Sequence, residues 1–286
     1  MFIPFVSTPK PTELNKRKGG GGSFKGVHVG GFSKPATAYG SGGGPTTLLP
    51  ITTGPAPNFG GRYAGGGDRK SVYGSRTYGS GYPGTSGRGV NGRGFPFFFW
   101  PIVWVGVVTP YLYSSEYGLP GSNYRPGGAL MSTAFKSGST GTIYRVIADN
   151  ETTTVLCQEI DNRCHSLIVD SNVVPVSNTS DSSQAQPEQA LQYYRASSVV
   201  LTLDNYNNSA TFGPEGTPDT QLPTGIDTAL LECLNSTIGE AVPLVESDHK
   251  PTQHSVWDWV LVAASGLLFF LTFMGLCISG ILCELC

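Results

Sequence analysis

The chain has 286 residues, of which 39 are Gly and 21 Pro, a composition that removes much of its length from any packed core. Its net charge of -2 conceals a division: residues 1–94 carry twelve Lys or Arg against Glu13 and Asp68, whereas residues 114–256 carry six basic against sixteen acidic side chains. With six Cys, no CxxC pair and His28, His165, His249 and His254 widely dispersed, the sequence offers neither a disulfide-dense scaffold nor zinc-ligand spacing, and no cofactor is expected.

The opening MFIPFVSTPKPTELNKRKGG lacks the form of an export signal, because its apolar part is short, Pro4 interrupts it and the positive charges follow it. Residues 19–94 are glycine runs spaced by Tyr, Arg and Ser, with too little apolar area to offset backbone ordering, so residues 1–94 are expected to form a disordered basic region. Within it Gly79, Gly81 and Gly84 match G-x-G-x-x-G, yet no strand is expected before them and no helix after, so the nucleotide-binding reading fails. Arg88 and Arg93, near Tyr63, Tyr73, Tyr78 and Tyr82, have the composition of arginine-glycine tracts that bind RNA by charge and stacking. The repeats are few. A flexible spacer is the favoured reading, and a nucleic-acid partner is not expected.

The apolar stretch 95–113 opens with FPFFFWPIVWVGVV, fourteen residues from Phe95 to Val108. As a helix these reach about 21 Å, short of a hydrocarbon core of roughly 30 Å, and Pro96, Pro101 and Gly106 oppose a helix. Extension to Tyr113, with basic residues before and acidic residues after, leaves a first membrane crossing as one reading. Length and proline favour the other, a strand or interfacial segment of the domain that follows.

Residues 114–250 read as a small acidic domain. TIYRVIA (142–148) and TTTVLCQE (152–159) are rich in β-branched residues around Asp149-Asn150-Glu151 and predict a hairpin, with a third strand at SLIVD (166–170). Pro187 and Glu188 suit the first turn of a helix through PEQALQYYR. VVLTL (199–203) and ATF (210–212) predict a second hairpin. TGIDTALLECLNSTIG predicts a helix with Thr224 and Asp227 as a capping box and Gly239 as its stop, Ile226, Leu230, Cys233, Leu234 and Ile238 sharing one face. The strand register places Cys157 and Cys164 out of position for a mutual bond, so a Cys164–Cys233 disulfide tying helix to sheet is favoured over three buried thiols.

From Trp259 to Cys283 run twenty-five residues without a charge, and the segment 257–283 is expected to be a transmembrane helix with Trp257 and Trp259 at the headgroup layer. A removable tail directing a lipid anchor at Ser247 competes, but Asp248 and His249 stand where small residues are wanted. Cys277, Cys283 and Cys286 are candidate acylation sites, and Gly275 with Ser279 makes a small-xxx-small pair. Four N-x-S/T sequons, at Asn150, Asn178, Asn207 and Asn235, together with the cysteines, favour a luminal or extracellular domain. The architecture expected is α+β: a disordered Gly-rich N-terminal tract, a mixed sheet-plus-helix domain and a C-terminal transmembrane helix.

FPFFFWPIVW, RPGGALMS, PEQALQYYRASSVVLTLDNYNN and GIDTALLECLNSTIGEAVPL together resemble a group of glycine-rich, membrane-anchored proteins of mushroom-forming (basidiomycete) fungi, over roughly residues 88–245. The resemblance implies secretory targeting and a wall- or surface-facing domain, and no enzyme activity. The function expected is a non-enzymatic membrane-anchored surface or endomembrane glycoprotein, with the lipid bilayer as partner and self-association or cell-wall polymer as further partners. Two alternatives are a glycan hydrolase using Asp149, Glu151, Glu159 or Asp161, and a tail-anchored cytosolic RNA-binding protein.

Overall fold

A computed structural model of the chain describes residues 27–29, 32–50, 59–179 and 184–246. In chain order, short strands β1 (Val27–Val29), β2 (Phe32–Lys34), β3 (Ala36–Thr37), β4 (Thr47–Leu48) and β5 (Tyr63–Ala64) precede a long irregular stretch. Then come β6 (Leu130–Ser137), β7 (Ile143–Asp149), helix α1 (Asn150–Cys164), β8 (Ile168–Pro175), β9 (Ala190–Tyr194), β10 (Val199–Leu203), helix α2 (Thr228–Ala241) and β11 (Leu244–Val245). The main sheet is antiparallel, in the order β8-β6-β7-β10-β9. The mixed sheet-plus-helix domain expected from the sequence is therefore present.

Several elements differ from expectation. TTTVLCQE is not a strand but the middle of α1, because Asp149, the last residue of β7, accepts a hydrogen bond from the Thr152 amide and caps a helix there. Thr152, Leu156, Ile160 and Cys164 recur every four residues on its buried face, and that burial outweighs the modest helix penalty of three consecutive threonines. Pro187 begins only a single 3-10 turn, Pro187–Gln189, and the buried residues after it form β9. ATF is likewise a 3-10 turn, capped by the Asn208 side chain, not a strand. In α2 the cap is Asp227, which accepts from the Leu230 amide, and Gly239 lies inside the helix, which runs on to Ala241 before Pro243. β6 was not foreseen, and β8 begins at Ile168 and extends to Pro175.

The two helices pack on each other, with α1 across β6 and β7. The opposite face of the sheet meets the aromatic stretch, where the Trp104 indole N–H donates to the Tyr193 hydroxyl. Phe95, Phe97, Phe98, Phe99, Trp100, Ile102 and Trp104 are all buried. Phe59, Phe95, Trp100 and Tyr117 form one cluster, with the Phe59 ring 4.8 Å from Phe95 and 5.0 Å from Trp100. Phe95–Trp104 thus packs into the domain as irregular core filling with no ladder of its own, not as a strand, whereas Val108 and Tyr113 are exposed. No described helix is long and apolar enough to cross a membrane, and Trp259–Cys283 lies outside the described residues.

The largest departure concerns the glycine-rich tract. From residue 59 to residue 94 it is packed, with Val72, Tyr78, Tyr82 and Val90 buried, whereas disorder was expected throughout residues 1–94. Because such backbone makes few ladder bonds, its carbonyls need other donors. Arginine side chains supply some of them, Arg69 donating to the Gly40 carbonyl and Arg93 to Gly79, Gly87 and Arg88, and they also tie the tract to the rest of the fold, Arg69 donating to the Val242 carbonyl and Arg88 to Gly213 and Pro214. Buried Arg125 does the same for Tyr117, Trp100 and Pro101. Burial lowers the pKa of both Arg69 and Arg125 to about 10. Close approach explains Gly79: a Cβ there would fall 2.1 Å from the Gly89 carbonyl oxygen.

Candidate functional site

Between β9 and β10 the chain turns through Arg195, Ala196 and Ser197, three successive non-glycine residues with φ of 49°, 50° and 63°. This left-handed conformation is costly for residues bearing a Cβ, so the surroundings must hold it. The Arg195 guanidinium is fully buried and donates to Asp149 Oδ2 at 2.7 Å, Thr152 Oγ1 at 3.0 Å, the Pro243 carbonyl at 2.9 Å and Ser198 Oγ at 2.7 Å. It lies 3.5 Å from the centroid of the Phe99 ring. One side chain therefore joins the hairpin, the start of α1, the aromatic stretch and the exit of α2. The Ser197 hydroxyl is committed to backbone, accepting from the Gly79 amide and donating to the Ser80 carbonyl. The hub is built for rigidity and offers no activated nucleophile.

The sheet face beneath the aromatic stretch opens into a cavity of about 280 Å³. Its floor is Ile147, Val174 and Ser132, neighbours across β7, β6 and β8, and its wall is Ile102–Val105. Ser177, Thr179, Gln184 and Gln186 add hydroxyl and amide groups at the rim. Arg145, the one charged lining residue among the described residues, is held by both oxygens of Asp204 at 2.7 Å, and that hydrogen bonding raises its pKa. Ser132 is buried and its Oγ has no hydrogen-bond partner among the described residues. An unpaired buried hydroxyl beside a cavity is a polar group for which a ligand or water is the natural partner. A second cavity, about 370 Å³, borders Arg76, Arg88, Tyr111 and Thr217, but there Arg88 already serves the Gly213 and Pro214 carbonyls and Arg76 the Thr220 carbonyl.

Among the sequence-predicted residues, Cys164 and Cys233 form the expected disulfide. The TTTVLCQE strand behind that expectation is absent, and the bond ties α1 to α2 rather than helix to sheet. Cys157 is a free, half-buried thiol 3.4 Å from Thr133 Oγ1, its pKa raised by burial. Asn150, Asn178 and Asn207 are exposed, whereas Asn235 is half-buried within α2 and accepts a 2.6 Å hydrogen bond from the Tyr194 hydroxyl. Cys277, Cys283 and Cys286 lie outside the described residues. The four acidic candidates have separate engagements: Asp149 with Arg195, Glu159 with the Tyr39 hydroxyl, Asp161 with His165, and Glu151 in the first turn of α1. Among the described residues no group of three His, Cys, Asp or Glu side chains converges as metal ligands would. The cavity was missed because its floor strand β6 was missed. Alternation along LMSTAFKS, burying Leu130, Ser132 and Thr133, is too weak a pattern to announce a strand.

Comparison of the chain with family models, with curated proteins and with solved structures finds no match.

Proposed function

We propose that the chain is a non-enzymatic surface or endomembrane glycoprotein, in which Trp259–Cys283 tethers a disulfide-locked binding module to a bilayer. The observation that carries this reading is the Cys164–Cys233 bond, since disulfides persist in oxidising compartments and are rare in the cytosol. Exposure of Asn150, Asn178 and Asn207 is consistent with glycan attachment there, and the hydrogen-bonded Asn235 in α2 is the site expected to stay bare. The cavity above Ser132 suits a neutral, hydroxyl-rich ligand, with wall glycan as the class, because its Arg145 is already paired with Asp204 and the rest of its described lining is apolar surface plus uncharged donors and acceptors. RNA binding by the arginine-glycine tract is disfavoured, since Arg88 and Arg93 are spent on carbonyls of the fold. A two-carboxylate hydrolase is disfavoured by the separate engagements of the acidic side chains.

Endoglycosidase digestion of the full chain expressed in a eukaryotic cell, with thiol alkylation before lysis, tests the compartment. A faster-migrating product with Cys164 and Cys233 unlabelled is expected. No mobility change together with alkylation of both cysteines would place the domain in a reducing compartment and end the proposal. For the ligand, co-sedimentation with insoluble wall glucan should be weakened by Ser132→Val, which puts a methyl group on the cavity floor.

A further inference from the structure

The strand register shows on which sides the cavity above Ser132 is closed. Ser132 lies in one cross-strand row with Val174 on β8 and Ile147 on β7, and the row runs on to Val200 on β10. Because side chains alternate along a strand, the neighbouring rows on this face are Leu130 with Asp149 on one side, and Asn172, Ala134 and Arg145 on the other. The first of these rows is sealed, Leu130 being 1 % and Asp149 4 % exposed, and so is the β10 end of the floor, where Val200 is 0 % exposed. Among the described residues the floor is open toward β8, where Val174 is 39 % exposed, and toward the second row, where Asn172 is exposed and Ala134 and Arg145 are half-buried.

The two open sides adjoin, and the side opposite each of them is sealed. A polymer threaded through the cavity would need openings that face each other, so this shape admits a chain end and stops it. The unpaired Ser132 Oγ stands on the floor of that blind corner and can both donate and accept, as pairing with a ligand hydroxyl requires. At the open row Arg145 spends Nε and Nη2 on Asp204, which leaves Nη1 as a donor without a partner among the described residues, its charge already matched. Ala134 is the small side chain of that row and leaves the way out clear. Resting on the glycan reading above, we propose that the cavity holds the non-reducing terminal residue of a glycan chain end-on. Ser132 bonds a hydroxyl of that residue, and the chain leaves across Ala134, where Arg145 Nη1 donates to the residue that follows.

Two probes offered to the wild-type full-length chain in detergent, each followed by titration calorimetry, decide it. One is laminarihexaose, a linear glucan, reduced to its alditol. The other is the same alditol after periodate oxidation and a second reduction, which opens the terminal ring and spares the inner rings, since these have no vicinal diol. The first is expected to bind and the second to bind at least about tenfold more weakly, because the polar groups of the site lose the ring that satisfied them. Ala134→Leu, which sets a larger side chain across the way out, should weaken the first probe by a similar factor while the unfolding midpoint is kept. Equal binding of the two probes, or binding untouched by Ala134→Leu, would overturn the end-on proposal and leave the glycan reading standing. Were the first probe not to bind at all, the proposal would fail as well, and co-sedimentation with insoluble glucan then shows whether the glycan reading fails with it.

Discussion

Removing the charge of Asp149 while keeping its shape isolates the buried ion pair at the centre of the molecule. Its carboxylate caps α1 through the Thr152 amide and neutralises Arg195, whose pKa burial already lowers to about 10. Asparagine caps a helix as well as aspartate does, so D149N spares the cap and leaves a buried guanidinium without its counter-charge, a loss of about 3–5 kcal/mol. D149A should lose about 1 kcal/mol more, because the cap goes too. Combining D149N with R195M removes both charges and should recover at least about 2 kcal/mol, less than everything because the Pro243 carbonyl then lacks a donor. Urea unfolding followed by near-ultraviolet circular dichroism reads all three, since Phe99, Trp100 and Trp104 are buried together. If D149N unfolds within about 1 kcal/mol of the parent, or the double variant shows the sum of the single losses, the hub does not work as described.

Replacing Cys164 and Cys233 by alanine opens a closure across 69 residues and should lower stability by about 4 kcal/mol at most on chain-entropy grounds, read as a shift in the urea midpoint. Stability should also fall in acid. Ser137 and backbone hydrogen bonds hold the Asp227 pKa below its ordinary value, and at Glu116, although burial opposes it, the Arg62 guanidinium does the same. Because these pKa values are depressed on folding, their stabilisation is complete above the ordinary carboxylate range near 4 and is lost as pH falls below it; D227N should flatten the loss, measured as unfolding midpoint from pH 7 to pH 2.5. Gly239→Ala should destabilise by about 1–3 kcal/mol even though alanine is the better helix former, because a Cβ would sit 2.0 Å from the Tyr73 ring carbon bearing the hydroxyl. Thermal unfolding should show Tyr73→Ala relieving that loss in the double variant.

What could be read in the sequence were features with a local cause. The helix at TALLECLNSTIG and the strands at VVLTL and TIYRVIA follow from periodicity and spacing, whereas the pairing of Cys164 with Cys233 was expected from a hairpin register that α1 replaces. α1 was misread because Thr152–Thr154 carry a strong strand preference, while its own signals, the Asp149 cap and the four-residue recurrence through Cys164, depend on a buried face. The glycine-rich tract misled for a different reason. Its order comes from contacts distant in sequence, such as Arg88 with Gly213 and Gly74 with Tyr193, and no window of composition contains both partners. The cavity was hidden for the same reason, as its lining joins residues 102–105 to strands 30 to 70 positions later.

One of the two smallest sheets has the widest reach. β3 pairs with β11, placing Ala36 opposite Val245 and Thr37 opposite Leu244, so two stretches near the two limits of the described residues lie side by side. A folded unit whose first and last paired strands meet behaves as a closed ring with a single cut, and the cut can be moved. A short linker joining residue 246 to residue 35, with new termini opened at the solvent-facing turn around Gly141, should give a circular permutant that folds around the same core.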